Sequence, residues 1–436
     1  MSRNSSGGIS RRSALQKGGI TLTGAVLGLS STSTSVGADP IEIDECTTIS
    51  EPGEYVLTDD LTAEGDCLGL YNSDITLDGN GYTISGDGTG IGISAEGSPV
   101  VRDLTIENFE TGCYSFLPSN DITFENTVVS DTAVGIDGDP RTNISIRDSI
   151  IKDNDIGVGP TEGLNITITE STLSGNESAV STGLGNFMEV ENSTVRDNGT
   201  GIEAGEGTFV DNTITSNDGY GFRLIGLIAP TDLGTATIIG NDIQNNGGPG
   251  IEFTSSSGEV RENTIAGNQS GIMLSGVDRD TFGDKTPDYQ ITKNNIENNT
   301  EFGVGNNSVV TATASCNYWG DPTGPVHEEN PFEDPEGDEI DGDVEFIPWS
   351  VEPIRDGEAI CSGGQPIGDF RNPPTDPDGD GLYEDINGDG ESNIVDVQAL
   401  FKNQENEVIQ NNPSAFDFNG DGTVNVVDVQ KLFSEV

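Results

Sequence analysis

The chain has 436 residues, and its 75 acidic side chains outnumber the 18 lysines and arginines to give a formal net charge of −57. That balance excludes nucleic-acid binding, which needs a basic surface, and favours a halophilic protein whose self-repulsion is screened by concentrated salt. Apolar residues make up only 32% of the chain, but they recur at regular intervals, so a stacked core is expected instead of disorder.

The first 38 residues have the features of an export signal peptide. Arg11-Arg12 precede an apolar run from Gly18 to Leu29, and Val36 to Ala38 offers a small-residue cleavage site. The paired arginines resemble a Tat signal, but Ala14 stands where such signals often carry Phe, so Sec export or a retained anchor stays open. We expect residues 39–436 to be secreted and extracellular, with no transmembrane anchor in the mature chain.

Five cysteines lie beyond the predicted signal peptide. In an exported protein, the pairs nearest in sequence are expected to form disulfides, namely Cys46 with Cys67 and Cys316 with Cys361. Cys113 occupies the apolar position that Ile202 fills in its own repeat, so we expect it to be a buried free thiol.

Residues 39–361 contain a repeat of about 22 residues, the length of a solenoid unit. Nine units have an apolar anchor, namely Ile106, Val129, Ile151, Leu173, Val195, Ile214, Ile243, Ile265 and Ile296. Three residues after the anchor seven of the nine have Asn, and six or seven residues after it eight of the nine have Gly, with Ala179 as the exception. The asparagines are expected to adopt the left-handed turn conformation and to stack as a hydrogen-bonded ladder; they are Asn154, Asn176, Asn198, Asn217, Asn246, Asn268 and Asn299. The glycines are expected where a Cβ has no room. Short Thr/Ile/Val strands without helical periodicity predict an all-β fold, a right-handed parallel β-helix.

Two longer repeats mark insertions near Gly226 to Gly234 and near Gly276 to Pro287. Both are expected on the same edge of the solenoid, where binding sites on such scaffolds usually lie. The second insertion is a candidate ligand-facing loop, with a solvated surface loop as the alternative, because it concentrates charged side chains at Asp278, Arg279, Asp280, Asp284 and Lys285.

Asn317 to Pro325, N-Y-W-G-D-P-T-G-P, follows the last repeat. Here the chain resembles the secreted β-helix family that includes NosD, and the resemblance implies the architecture. It does not make a copper role expected, because His327 is the only histidine and copper sites need imidazole or sulfur ligands. Parallel β-helices of the pectate-lyase kind include polysaccharide lyases, polygalacturonases and uronan epimerases, but no pattern here selects a catalytic residue from the carboxylates or the solenoid arginines.

A Gly/Pro-rich linker at 362–375 precedes a module at 376–436, in which two twelve-residue loops are each followed by an amphipathic segment. A Ca²⁺ ion takes oxygen ligands from loop positions 1, 3, 5, 7, 9 and 12, with Gly at position 6 for the turn. The first set is Asp385, Asn387, Asp389, the Glu391 carbonyl, Asn393 directly or through water, and Asp396. The second set is Asp417, Asn419, Asp421, the Thr423 carbonyl, Asn425 and Asp428.

These loop–helix units lack an entering helix and have Asp at position 12, so the module resembles type I dockerins. The resemblance implies a cohesin-like domain or another cell-surface protein as partner, contacted through Ile394, Val395, Val426 and Val427. In addition, Asp376-Pro-Asp-Gly-Asp380 could supply a third, irregular calcium site with Asp385 nearby.

Dockerins typically attach carbohydrate-active proteins to scaffolds. The first hypothesis is therefore a secreted protein of polysaccharide binding or catabolism, tethered through its calcium module. If the chain is an enzyme, it is expected to be a polysaccharide lyase or an O-glycosyl hydrolase. The alternative hypothesis is a non-enzymatic surface or matrix protein whose solenoid is a spacer.

Overall fold

The computed structural model describes residues 39–436 except 117–120, 160, 162, 183–186, 227–233, 277–285, 333, 356, 360, 362–363, 379 and 411. Three predictions fall on residues outside this set in whole or in part: the export signal at 1–38, most of the first insertion, and the charged residues Asp278, Arg279, Asp280, Asp284 and Lys285. Residues 40–436 form one compact unit.

The described strands form three parallel sheets, which the chain visits in the order I, II, III in each coil from Gly53 to Asn306. Sheet I has 14 strands: Ile41–Ile43, Gly53–Leu57, Ile75–Asp78, Val100–Arg102, Asp121–Glu125, Asn143–Arg147, Asn165–Thr169, Phe187–Glu191, Glu206–Val210, Thr235–Ile239, Ser257–Arg261, Tyr289–Thr292, Ala312–Thr313 and Val344–Glu345. Sheet II has 11: Leu61–Thr62, Thr83–Ser85, Thr105–Glu107, Val128–Ser130, Ile150–Lys152, Thr172–Ser174, Thr194–Arg196, Thr213–Thr215, Asp242–Gln244, Thr264–Ala266 and Asn295–Glu297. Sheet III has 13: Thr48–Ile49, Leu68–Tyr71, Ile91–Glu96, Thr111–Ser115, Val134–Gly138, Ile156–Val158, Ser178–Ser181, Thr200–Ala204, Phe222–Ile225, Ile251–Thr254, Ser270–Ser275, Phe302–Asn306 and Ile340–Gly342. The predicted parallel β-solenoid is therefore confirmed.

Four helices follow the solenoid among the described residues. Helix α1 spans Ile394–Asn403, α2 spans Glu407–Gln410, α3 spans Pro413–Phe416 and α4 spans Val426–Phe433. The helical segment thus lies entirely within the predicted calcium module.

The anchors of the repeat are the central residues of the short sheet II strands. Each pairs with the anchors of the neighbouring coils, as Leu173 does with Ile151 and Val195. From Ile106 to Ile296, all nine anchors have no solvent exposure. Because alternate residues of a strand point to opposite faces, one buried position in three suffices to fill this side of the core.

The predicted asparagine ladder is present between sheets II and III and is buried. The Oδ1 of each member accepts the backbone N–H of the previous member at 3.0–3.2 Å, as Asn198 does from Asn176. The predicted left-handed conformation was wrong for the ladder residues themselves. It belongs to the residue before each one, for example Asp153 (φ 56°) and Asp197 (φ 56°), because this residue makes the turn that points the next amide inward.

A second ladder, not predicted, runs between sheets I and II. Its members accept the backbone N–H of the previous coil at 2.8–3.1 Å, and they are Ser149, Ser171, Ser193, Asn212, Asn241, Asn263, Asn294 and Asn317. The signal was in the sequence, since from Ser149 to Asn294 each member lies two residues before an anchor. Serine and asparagine serve equally because the ladder needs only a short side chain that ends in an acceptor.

The glycines after the anchors stand where coils approach closely. A Cβ on Gly201 would lie 2.1 Å from the carbonyl oxygen of Gly221, and one on Gly135 would lie 2.4 Å from that of Gly157. The predicted reason for glycine at this position is confirmed.

Both predicted disulfides are present: Cys46–Cys67 at the first coils and Cys316–Cys361 at the last. Cys113 is a free, fully buried thiol, as predicted, and burial raises its pKa. The last coil is covered by the fully buried Trp319 and Trp349, and the Trp349 indole donates to the carbonyl of Pro322 at 2.9 Å.

Candidate functional sites

The first predicted calcium loop is organised by the carboxylates at its two ends. Asp385 accepts the backbone N–H groups of Asp389 at 3.1 Å and Gly390 at 2.7 Å. Asp396 accepts those of Asn387 at 3.1 Å and Asn393 at 2.9 Å. Because both carboxylates are held by backbone donors, the loop curls inward and brings its first and last acidic residues to the same interior.

The second loop has the same arrangement. Asp417 accepts the backbone N–H groups of Gly420, Asp421 and Gly422 at 2.8, 3.1 and 2.6 Å. Asp428 accepts the backbone and side-chain N–H groups of Asn419 at 3.1 and 2.9 Å, and the backbone N–H of Asn425 at 2.7 Å. Two segments 32 residues apart thus fold into the same turn.

The donor set of both loops fits a hard divalent cation. Asp385, Asp396 and Asp428 have no solvent exposure. Buried negative charges that lie close together are costly unless a positive charge compensates them. Desolvation raises the pKa of Asp396, and the neighbouring charges of Asp385 and Asp389 raise it further. For Asp417 desolvation acts in the same direction, but the N–H donors of the loop outweigh it and lower the pKa.

The asparagine at position 9 of each loop also begins a helix. Asn393 caps α1 by accepting the N–H of Val395 at 2.8 Å, and Asn425 caps α4 by accepting that of Val427 at 2.9 Å. In both cases the Asp at position 12 completes a reciprocal capping box. Formation of each loop is therefore coupled to formation of the helix that follows it.

Each helix begins with an exposed pair of apolar side chains, the predicted partner-binding residues. Ile394, Val395, Val426 and Val427 are each 47% exposed. The structure adds Phe401 at 61% exposure and Phe433 at 60%, which were not predicted to contact a partner. Each Phe lies seven residues after the first residue of its helix and hence on the same face, a spacing that the sequence contained.

Four carboxylates converge in front of the first loop. Asp376, Asp378, Asp380 and Glu384 each bring one oxygen within 4.8 Å of the others. Asp385 was predicted to lie near the triplet of Asp376, Asp378 and Asp380, but its carboxylate instead accepts N–H groups of its own loop. Burial, followed by the charges of Asp378, Asp376 and Asp380, raises the pKa of Glu384 to about 7.

On the solenoid, sheet III presents a mixed aromatic and charged cluster. Arg223 lies between Glu203 at 3.7 Å and Glu252 at 3.3 Å, on neighbouring strands, and its guanidinium lies 5.7 Å from the ring centre of Tyr220. Four other arginines, which lie on strands of sheets I and II, also pair with acids: Arg102, Arg147, Arg196 and Arg261. The position of Arg223 thus distinguishes it from the arginines among which the sequence could not choose.

A second polar cluster lies farther along the same face of sheet III. The hydroxyl of Tyr114 donates to Asp139 at 2.9 Å, and Asp137 accepts the hydroxyl of Thr161 at 3.1 Å. Burial and the neighbouring acids raise the pKa of Tyr114 to about 12. Both predicted insertions follow strands of this sheet, since Phe222–Ile225 and Ser270–Ser275 directly precede them.

Comparison with known families follows this division of the chain. Residues 383–436 match the type I dockerin domain. Residues 73–229 match the family described as periplasmic copper-binding protein (NosD), and residues 181–317 match the right handed beta helix region. None of the curated proteins compared with the chain matches it.

Two solved structures from Azotobacter vinelandii resemble the chain. The A-module of mannuronan C-5 epimerase AlgE4 has 19% identity and a TM-score of 0.47, and the match covers 70% of this chain and 88% of that one. The A-module of AlgE6 has 18% identity and a TM-score of 0.48, with 70% and 91% covered. Neither likeness assigns an activity to this chain.

The residues in the NosD-like segment do not fit a copper ion. Residues 73–229 contain no histidine, and their sulfur side chains, Cys113 and Met188, are fully buried in the solenoid core. The one histidine, His327, lies outside this segment, and its Nδ1 accepts the backbone N–H of Glu329 at 3.1 Å. The match therefore concerns the fold of the coils and not metal chemistry.

Among the helices that the structure describes, none is long and apolar enough to cross a membrane.

Proposed function

We propose that this chain is an exported, carbohydrate-associated β-helix protein, and that a calcium-dependent docking module attaches it to a cohesin-like domain. The observation that carries the docking part is the duplication of one surface. Each loop and its helix present the same exposed apolar group: Ile394, Val395 and Phe401 on α1, and Val426, Val427 and Phe433 on α4.

Calcium would be held by the two predicted sets of loop ligands, and its charge would offset the repulsion among their carboxylates. The chain's own residues then position the docking surface. Because Asn393 and Asn425 are both loop residues and helix caps, an ordered loop fixes the first turn of its helix, where the exposed apolar pair lies. Docking should therefore depend on calcium although no loop carboxylate need touch the partner.

The apolar surface is suited to a protein partner. An exposed apolar side chain gains about 1.5–3 kcal/mol when fully buried, and those at the helix starts are already about half covered, so each would contribute about 1 kcal/mol. Specific affinity would then depend on the larger Phe401 and Phe433, because a few buried aromatic anchors dominate most interfaces.

Surface plasmon resonance against immobilised type I cohesin domains tests this proposal. We expect at least one to bind the full chain in calcium, to release it in chelator, and to bind the Ile394→Asp, Val426→Asp double variant at least tenfold more weakly. Ile41→Asp, at a residue that is 49% exposed on the first coil, is the matched control and should bind normally. Binding that survives the chelator, or no binding to any cohesin, would contradict the proposal.

For the solenoid we propose a polysaccharide-binding face on sheet III, along Tyr114, Asp137, Glu203, Tyr220 and Arg223. Aromatic rings offer stacking surfaces, and flanking carboxylates accept hydrogen bonds from hydroxyl groups. Parallel strands repeat at about 4.8 Å, which gives a linear polymer a regular row of contacts. The proposed face has more acidic residues than arginines, since Arg223 is its one arginine. An uncharged glycan therefore suits this face better than a uronan, whose carboxylates the acids would repel.

A panel of neutral glycans and uronans in concentrated salt, scored for retention and for cleavage, tests this part. We expect retention of a neutral glycan, weakened at least tenfold by Tyr220→Ala or Arg223→Ala. Arg196→Ala, at an arginine that pairs with Asp197 on sheet II, should leave retention unchanged. Neither retention nor cleavage of any polymer would overturn the proposal and favour the spacer role of a non-enzymatic surface protein.

A further inference from the structure

The acidic group before the first loop differs from an ordinary patch of surface acids in one respect. Glu384 is only 8% exposed, and its Oε2 atom is buried with no hydrogen-bond partner among the described residues. The same side chain brings an oxygen within 4.8 Å of oxygens on Asp376, Asp378 and Asp380. A buried carboxylate without a donor, facing three more carboxylates, is costly unless a proton or a cation neutralises it, and a cation would neutralise all four together.

The segment that carries these residues is a closed loop. Its ends, Thr375 and Asp385, form an antiparallel bridge with N–H···O distances of 3.0 and 3.3 Å, and the Thr375 hydroxyl donates to Asp385 at 2.7 Å. Within it, Asp376 accepts the N–H of Gly381 at 2.8 Å and Asp380 accepts that of Leu382 at 2.9 Å. These bonds fold the segment back on itself, and the carboxylates come together as a result.

The same loop borders the solenoid. A cavity of about 690 Å³ is lined on one side by the solenoid cap, including Pro322, Phe332 and Glu352, and on the other by Asp376 and Tyr383. The ring of Tyr383 packs on Phe416 of helix α3, with ring centres 5.8 Å apart. The acidic loop therefore lies at the junction between the solenoid and the helical module.

We propose that Asp376, Asp378, Asp380 and Glu384 form a third calcium site, distinct from the two repeated loops, that orders the junction between solenoid and docking module. The donors are all carboxylate oxygens, which suit Ca²⁺ and not the softer transition metals that prefer nitrogen or sulfur. Ca²⁺ also tolerates the irregular spacing of these ligands better than Mg²⁺, which demands a near-ideal octahedron. This site goes beyond the proposed docking function and does not depend on it.

Isothermal titration of the full chain with calcium, in the presence of salt, tests the number of sites. The Asp378→Asn, Asp380→Asn double variant should bind one equivalent fewer than the native chain. The control Glu42→Gln, Asp44→Asn removes the same charge from exposed positions on the first coils and should bind the full number. Equal stoichiometry in the native chain and the double variant, or an equal loss in the control, would overturn the proposal.

Glu384→Gln supplies a readout that a purely structural role would not give. The substitution removes an uncompensated buried charge, so it should raise the melting temperature in chelator. In calcium it should lower the melting temperature relative to the native chain, because the bound ion loses a ligand. A shift of the same sign in both conditions would contradict the site. Since cohesin binding is not part of either measurement, failure here is distinguishable from failure of the docking proposal.

Discussion

Asn299 donates from its side-chain amide to Asp338 at 2.7 Å and from its backbone N–H to the same carboxylate oxygen at 3.0 Å. Asp338 thus takes, at the end of the first ladder, the place that an asparagine fills in every preceding coil from Asn154 onward. Asp338→Ala should leave both donors without a partner and cost about 1–3 kcal/mol of unfolding free energy. Urea denaturation measures this loss, and Asp338→Asn, which keeps an acceptor, should lose less than half as much.

The same pair predicts a dependence of stability on pH. Burial raises the pKa of Asp338 although the hydrogen bonds from Asn299 act in the opposite direction. The folded chain holds the Asp338 proton more tightly than the unfolded chain does, so protonation of Asp338 stabilises the fold. This stabilisation is fully present below the ordinary pKa of an aspartate and is lost as pH rises through the raised pKa. Asp338→Asn should therefore gain stability relative to the native chain as pH rises above about 4, the ordinary pKa of an aspartate, and a constant difference would contradict this account.

The buried ladder should contribute far more than a similar ladder on the surface. Asn198→Ala removes the acceptor of both the backbone and the side-chain N–H of Asn176, each at 3.0 Å, and should cost at least about 2 kcal/mol. Asn165 donates to Asn143 at 2.7 Å on the exposed face of sheet I, so Asn165→Ala is the matched control and should cost about 0.5 kcal/mol. Equal losses in denaturant titrations would mean that burial does not set the cost.

Close approach of the coils should make Gly201 sensitive to a single methyl group. In Gly201→Ala the new Cβ would meet the Gly221 carbonyl, and moving that backbone should cost about 1–3 kcal/mol. The reverse change at the equivalent position, Ala179→Gly, should cost only about 0.5–1 kcal/mol, through chain entropy. Thermal unfolding monitored by circular dichroism measures both changes, and a larger loss for Ala179→Gly would be inconsistent with the steric argument.

Removing calcium should destabilise the helical module more than the solenoid. At a free calcium concentration 100-fold above the dissociation constant, each occupied site adds about 2.7 kcal/mol of stability. Chelation should therefore lower the temperature at which helical circular dichroism is lost, and leave the unfolding of the β-sheet signal nearly unchanged. Asp417→Ala should reproduce part of this shift in calcium. An unchanged helical transition in chelator would show that the two loops do not use a metal.

Much of this fold follows from local pattern. The period of the anchors predicts the coils, because a buried position that recurs once per turn can be covered only by its own neighbours above and below. Asn154 to Asn299 were predicted as a ladder for the same reason. The fold of both predicted calcium loops follows from spacing alone, since the acidic residues of each lie within twelve residues of one another. The second ladder also follows a local pattern, a Ser or Asn two residues before each anchor from Ile151 to Ile296, but this pattern was overlooked.

Other features depend on contacts that no local pattern describes. Asp338 lies 39 residues after Asn299, and only the path of the last coils makes it the end of the ladder. Arg223 stands apart from the other arginines because it pairs with an acid on each of the two coils that flank it, Glu203 on one side and Glu252 on the other. Glu384, and not Asp385, joins Asp376, Asp378 and Asp380. Asp385 instead pairs with Thr375 in the bridge that closes this loop. The sequence by itself determined the repeating coil and the two acidic loops, whereas only the tertiary structure decided which charges face one another, because side chains from different turns meet only after the chain has stacked.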